Sequence, residues 1–261
     1  MKNVRSLPVQ HYMDGERMVK DESIAVETLI QIVVNGHPLV NLLGSPEHTE
    51  ALAIGHLMTQ HDVDAIDISS VKSHVRGNVV EVDVVTRSGN ILAQRHGIVT
   101  ASCGACDQEN LDELTKAVPA VPSPERALNL ESVLSMLHEL REHQARFQAI
   151  GGMHAAGLHG LDGGHVVMED IGRHNAVDKA YGTWHKQNDV PADVLVLSGR
   201  CGWDIVAKAA VMGTPIIASF GAASSVAAET ARASNMTLVS FVKKRKAVII
   251  GPFEGRFQRK H

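Results

Sequence analysis

A mixed α/β fold with a smaller β-rich (α+β) N-terminal part is expected from three features of the chain. Beyond about residue 150, short apolar runs alternate with segments of helical period. That alternation marks a parallel or mixed sheet covered by helices on both faces. Before residue 100 the runs are strand-like and joined by Gly turns, with a single helix among them. Between these regions lies the proline-rich stretch "VPAVPSPE", a hinge signal. The chain therefore divides into a loose arm (1–22), a small α+β domain (23–100), a cysteine loop and hinge (101–122), a three-layer α/β domain (123–251) and a basic tail (252–261).

The elements follow in order. Residues 1–22 are polar and without period, hence the expectation of an arm. "SIAVETLIQIVVNGHPLVNLL" is rich in Val and Ile around Asn35-Gly36, a hairpin signal. "SPEHTEALAIGHLMTQ" reads as a helix, with Ser45 at the N-cap and Pro46 at the first helical position. In the next run of strands, Val80, Val82 and Val84 alternate with Glu81 and Asp83, as in a half-buried strand. Asn110, with Glu113 three residues on, can cap a short helix, "LDELTKAV". One long helix is expected over about 128–149, where Leu130, Val133, Leu134, Leu137 and Leu140 share a face. After it, "GGMHAAGL", "GHVVMEDI", "DVLVLSG", "TPIIASF" and "MTLVSFV" read as strands. "RHNAVDKAYGTWHKQ", "WDIVAKAAVMG" and "SSVAAETARASN" read as the helices between them, and "MTLVSFV" as the last full strand.

Composition narrows the function classes. The 261 residues carry a formal charge of −4, so the whole molecule is not drawn to nucleic acid. Three cysteines are too few for a disulfide framework in a chain of this length. No apolar run approaches the ~20 residues of a membrane span, and the N-terminus has no signal-peptide core. A cytoplasmic protein with no membrane and no nucleic-acid partner is expected.

Four constellations can carry chemistry. The first is "TASCGACDQEN", which holds Cys103 and Cys106. A structural zinc site needs about four N/S ligands, and here one pair would need His154 to help complete the set. The order is the reverse of a zinc deaminase, and Ala156 stands where its general acid/base Glu would be. A dithiol redox pair wants a βαβ context, whereas a β-meander precedes this one. Sulfur transfer needs a thiolate on an exposed loop. Small neighbours and a helix start just beyond favour that anion, while two inert buried thiols are the plain alternative.

The second is "VMEDIGRHNAVDKAYG", a charge cluster at a strand-to-helix junction, where ligands bind in α/β sheets. Asp170, His174 and Asp178 are spaced to share a face, and the plain reading is a solvated first helical turn. The third is "LSGRCGWD", where Ser198, Gly199 and Arg200 can offer N–H groups and a guanidinium to phosphate. Cys201 beside it reads as a buried inert thiol. The fourth is Lys243-Lys244-Arg245-Lys246 with Arg256, Arg259 and Lys260 beyond, a local positive site suited to a phosphate-bearing ligand or else a solvated basic end.

Taken in order, "SCGAC", "GGMHAAGL", "EDIGRHNAVDKAYG", "LSGR", "PIIAS…AAS" and "LVSFVK" resemble the formate dehydrogenase accessory sulfurtransferases, the FdhD family, over roughly Val26 to Ile250. The resemblance implies a cytidine-deaminase-like α/β layer structure and a cytoplasmic homodimer. It implies a sulfurtransferase that accepts sulfur from a cysteine desulfurase as a persulfide. The acceptor is then the molybdenum cofactor in its bis-molybdopterin guanine dinucleotide form, before insertion into formate dehydrogenase. Guanine nucleotide is expected to mimic this acceptor. The family's persulfide cysteine falls on Cys103, with Cys106 as partner. Its cofactor-binding segment falls on Phe241, Val242, Lys243, Lys244, Arg245 and Lys246. Arg200 is assigned to the cofactor's phosphates with Lys243 and Lys246, and His174 and Asp170 to cofactor binding or proton handling. No metal ligand is assigned. The family usually has Gly where Arg245 stands, and Thr or Ser where Ala101 stands. The alternatives from other classes are a non-catalytic molybdenum-cofactor chaperone and a zinc-dependent, deaminase-like nucleotide hydrolase.

Overall fold

The computed structural model describes residues 4–61, 63–64, 67–94, 98–99, 111–188, 190–243 and 246–259. The first described element is a β-hairpin, β1 (Val4–Met13) and β2 (Glu16–Ala25), whose strands pair only with each other among the described residues. Asp14 and Gly15 both have positive φ, as a two-residue type I′ turn demands. This corrects the expectation of a loose arm. One face is exposed and the other only half-buried, at Leu7, Val9, His11 and Met18, too few apolar positions among polar ones to mark the strands in the sequence.

A five-stranded sheet follows, in the order β5-β6-β3-β4-β7. It comprises β3 (Thr28–Val34), β4 (His37–Gly44), β5 (Ile68–Arg76), β6 (Val79–Thr86) and the short β7 (Ile98–Val99). The Asn35-Gly36 turn falls as expected, and Ile30, Ile32, Val80, Val82 and Val84 form its buried face. Helix α1 (Thr49–Gln60) covers that face with Leu52, Ala53 and Leu57. Its start differs from the expected Ser45 cap. His48 takes the N-cap position with φ 52°, and Ser45 is buried elsewhere in the structure.

The second sheet has six strands in the order β13-β12-β11-β10-β8-β9. They are β8 (His154–His159), β9 (His165–Asp170), β10 (Val194–Leu197), β11 (Ile216–Ser219), β12 (Thr237–Lys243) and β13 (Lys246–Ile250). β10, β11 and β12 run parallel, and the outer pairings are antiparallel. β13 is an addition to the expected strands and forms a hairpin with β12.

The remaining helices are α2 (Leu111–Lys116), α3 (Leu130–Glu142), α4 (Ala145–Ile150), α5 (Arg173–Gln187), α6 (Trp203–Val211) and α7 (Ser225–Ala233). The expected 128–149 helix is thus two helices, α3 and α4. Alternate β10 residues serve opposite faces of the sheet. Leu195 and Leu197 pack with α5, α6 and α7, while Val194 and Val196 pack with α3. This is helix, sheet, helix, the arrangement in which a strand buried on both faces reads as a continuous apolar run.

The two sheets are joined through α1 and α5. A Cβ on Gly55 would lie 1.9 Å from the Asp178 carbonyl oxygen, and one on Gly182 would lie 2.0 Å from that of Ala51. Only glycine admits such an approach, so the two helices meet backbone to backbone. Charges removed from water flank this contact. Lys208 Nζ donates to both Asp178 carboxylate oxygens (2.6 and 2.8 Å) and to Thr59 Oγ1 (2.9 Å), with Lys208 and Asp178 fully buried. Burial alone would raise Asp178. Lys208 and His56 outweigh it and hold the carboxyl at about 2.

Candidate functional site

The parallel strands deliver their carboxyl ends to one edge of the six-stranded sheet, where α/β proteins place their ligands. Three loops emerge there and are tied side by side. Phe241 N–H donates to Gly221 O (3.1 Å), and Gly221 N–H donates to Gly199 O (3.2 Å). A Cβ on Gly221 would lie 2.7 Å from Gly199 O and 2.9 Å from Arg200 Cα, so this close stacking requires glycine. Ser198 is fixed against β8. Its Oγ accepts Ala155 N–H (2.8 Å) and its own N–H donates to Ala155 O (3.0 Å). This leaves the Ser198 hydroxyl proton available to a ligand.

Beside these loops lies a cavity of about 470 Å³ lined by Arg141, Gln144, Phe147, Gln148, Met153, His154 and Ser198. Its size suits a drug-sized or heterocyclic group. The Arg141 guanidinium lies 3.9 Å from the centroid of the Phe220 ring, a cation–π contact linking α3 to the loop after β11. His154 sits below the usual histidine pKa. Burial is the main cause, and Arg173 and Arg200 add to it against the opposing pull of Asp170. A neutral imidazole with one donor and one acceptor nitrogen therefore faces the cavity.

Two helices start at this edge without a side-chain cap, α5 after Gly172 and α6 after Gly202. Their first N–H groups and dipoles favour an anion, and the Asp204 carboxylate, in the first turn of α6 and against His174 of α5, already supplies one. α7 differs, because Ser224 Oγ accepts Ala227 N–H.

Of the assigned residues, Arg200, Phe241, Lys243 and Lys246 are exposed at this edge, and Val242 is buried in the core. The register between β12 and β13 shifts between Ser240 and Lys243, and Phe241 has φ 55°. This bulge turns Phe241 and Lys243 outward around the inward Val242. Lys243 faces Lys246 across the strand pair, so two ammonium groups share the rim. Cys103, Cys106, Lys244 and Arg245 lie outside the described residues, as does the expected cap Asn110.

Asp170 and His174 do not line the cavity. Asp170 is fully buried. It accepts N–H from Ser45 (3.0 Å) and Gly172 (2.8 Å), Nδ2 of Asn175 (3.1 Å) and Nζ of Lys179 (2.5 Å). The first turn of α5 is thus a buried joint between the sheets rather than a solvated face. Lys179 also donates to Ser45 O, closing the same joint. His174 Nε2 is set against the Asp204 carboxylate, which bridges the starts of α5 and α6. Burial lowers His174 to about 4 against the pull of Asp204, so the ring is neutral. Glu169 does another local task. Its carboxylate accepts Arg146 N–H and Phe147 N–H, closing the start of α4.

Arg141, Gln144 and Phe147 are additions that sequence reasoning missed, because nothing in their spacing links α3 and α4 to the strand ends. Cys201 is buried, and its thiol is pushed well above the ordinary range by burial and by Asp204. It is an inert thiol in the core. Among the described residues no three His, Cys, Asp or Glu side chains stand together in a way that could hold a metal ion. No helix among them is long and apolar enough to cross a membrane.

Residues 25–254 match the family model described as FdhD/NarQ. A protein of Mycobacterium tuberculosis named sulfur carrier protein FdhD is 33% identical over 253 residues, covering 90% of this chain and 92% of the relative. One of the same name from Sulfolobus acidocaldarius is 33% identical over 244 residues, covering 92% and 93%. A crystal structure from Desulfotalea psychrophila, described as a formate dehydrogenase accessory protein, superposes with a TM-score of 0.78. It covers 98% of this chain and 100% of the other at 23% identity, a likeness of fold. With the family model spanning most of the chain and relatives a third identical along nearly all of it, this chain belongs to the FdhD/NarQ family.

Proposed function

We propose that this protein is a sulfur carrier, the role its relatives' names state, and that it serves the formate dehydrogenase system. Cys103 is the carrier. As a thiolate it attacks the outer sulfur of a persulfide on a cysteine desulfurase. A new S–S bond forms on Cys103, and the donor's own sulfur leaves as thiolate. Cys106 is the neighbouring thiol. The acceptor is the molybdenum cofactor as bis-molybdopterin guanine dinucleotide, bound as substrate before it passes to formate dehydrogenase. The protein works in the cytoplasm as a homodimer, and its layering is the cytidine-deaminase-like one.

The observation that carries this reading is the carboxyl edge of the six-stranded sheet. A cavity of about 470 Å³ there is lined by Arg141, His154 and Ser198, and Lys243 and Lys246 stand exposed at the same edge of the sheet. Such a surface fits an anionic, ring-bearing ligand. Phosphates suit the ammonium groups. The Phe241 ring and the neutral His154 suit a flat heterocycle. Arg200 stands ready for a further phosphate oxygen.

The test is intact mass after incubation with a cysteine desulfurase and cysteine. A gain of one sulfur, about 32 Da, should appear, be removed by reductant and be missing in Cys103→Ala. Cells carrying Cys103→Ala should lose formate dehydrogenase activity. Full activity with that variant would overturn sulfur transfer and leave a cofactor chaperone. Stoichiometric zinc in the purified protein would favour the hydrolase instead.

A further inference from the structure

The N-terminal hairpin is an unusual element for a folded chain. Its two ten-residue strands pair with each other and, among the described residues, with no third strand. Val19 and Tyr12 are 69% and 75% exposed, and β2 is exposed from Val19 to Ile24. One face rests partly on the chain itself, with Leu7, Val9, His11 and Met18 half-buried. A two-stranded ribbon with so little cover is marginal in water, and its edges are where a further strand can add.

Its two edges are not equivalent. The turn at Asp14-Gly15 makes Met13 and Glu16 the first hydrogen-bonded pair. Backbone groups then alternate inward and outward along each strand. On β1 the outward positions include Pro8, which lacks an N–H and blocks further pairing. On β2 they are Arg17, Val19, Asp21 and Ser23, with no proline among them.

We propose that β2 is an interaction edge for a second copy of this chain, joined by antiparallel β2–β2 pairing about a two-fold axis through Val19. In that register Val19 faces its own counterpart. Arg17 of each copy faces Asp21 of the other, two opposite-charge pairs on one face. A two-fold axis on Lys20 or Asp21 would set like charges against each other at the centre. One on Met18 would run into the turn after only a few residues. The proposal gives an interface to the homodimer included in the proposed function and rests on that part of it.

The test is the oligomeric state of the full chain by sedimentation across concentration, with far-UV circular dichroism as a check on folding. Val19→Pro removes an outward N–H without touching the hairpin's own hydrogen bonds, and it should yield a monomer. Arg17→Asp and Asp21→Arg should each weaken the dimer about tenfold, and the double swap should restore it. A monomeric wild-type chain would overturn both the homodimer and this edge. A dimer that survives Val19→Pro, or a double swap no better than the singles, would overturn the edge alone and leave a homodimer built elsewhere.

Discussion

Replacing Lys208 with methionine tests the buried joint between the two sheets. The substitution keeps the length of the side chain and removes its charge. Asp178 would lose two charge-assisted hydrogen bonds, of 2.6 and 2.8 Å, and Thr59 would lose a donor at 2.9 Å. The carboxylate would stay fully buried, with the Thr59 hydroxyl and His56 as its remaining neighbours. Stranding one member of such a pair costs about 3–5 kcal/mol. With a urea m-value of about 2–3 kcal/mol/M, the unfolding midpoint should fall by about 1–2 M.

Lys208→Met combined with Asp178→Asn should lose clearly less than the sum of the two singles, because the second change removes the stranded charge. The pH dependence has a definite sign. In the wild type the folded carboxyl sits at about 2, below the ordinary aspartate value of 3.8. The stability gained from this lowering is complete above pH ~4 and is lost as pH falls through about 2. In Lys208→Met the cation is gone and burial raises Asp178. The variant's deficit should therefore shrink between pH 7.5 and pH 4.5 as the carboxyl takes up a proton. The assay is urea unfolding followed by tryptophan fluorescence at both pH values. A loss below about 1 kcal/mol, or a deficit equal at both pH values, would refute this account of the joint.

Two further outcomes are expected. Gly182→Ala places a methyl group 2.0 Å from the Ala51 carbonyl oxygen. It should cost at least about 1–3 kcal/mol, more than the gain in helix propensity returns, and calorimetry should show a lower Tm. Lys243→Glu with Lys246→Glu should weaken GDP binding at least about tenfold and flatten its salt dependence, as read by titration calorimetry. Unchanged affinity would move the phosphates elsewhere.

The legible part of this fold is the part whose signals are local. β10, β11 and β12 are buried on both faces and read as unbroken apolar runs. α5 spans the same residues in sequence and structure, and Asn35-Gly36 marks its turn by backbone chemistry alone. What was not legible depends on partners far along the chain. Asp170, Asp178 and Lys179 look like a solvated helical turn until Ser45, Thr59 and Lys208 close around them. Ser45 has the composition of a helix cap, yet its hydroxyl accepts Ile171 N–H. The hairpin was missed because only Leu7, Val9, His11 and Met18 are half-buried and the rest of its positions are mostly polar and exposed, which blurs the period-two signal, although Asp14-Gly15 was a usable cue. At the site, Arg200 and Lys243 could be chosen by charge and position. Arg141 and Phe147 could not, because only the packing of α3 and α4 on the sheet brings them to the strand ends.

The glycine contact between α1 and α5 sets how the two halves can fail. Backbones that touch at Gly55 and Gly182, with ion pairs stripped of water on either side, leave no intermediate separation in which one half is intact and the other loosened. A small parting would let water reach the charges before any other contact compensated. The N-terminal and C-terminal sheets should therefore melt as one cooperative unit, and a chain cut between them should give two fragments that fold only together.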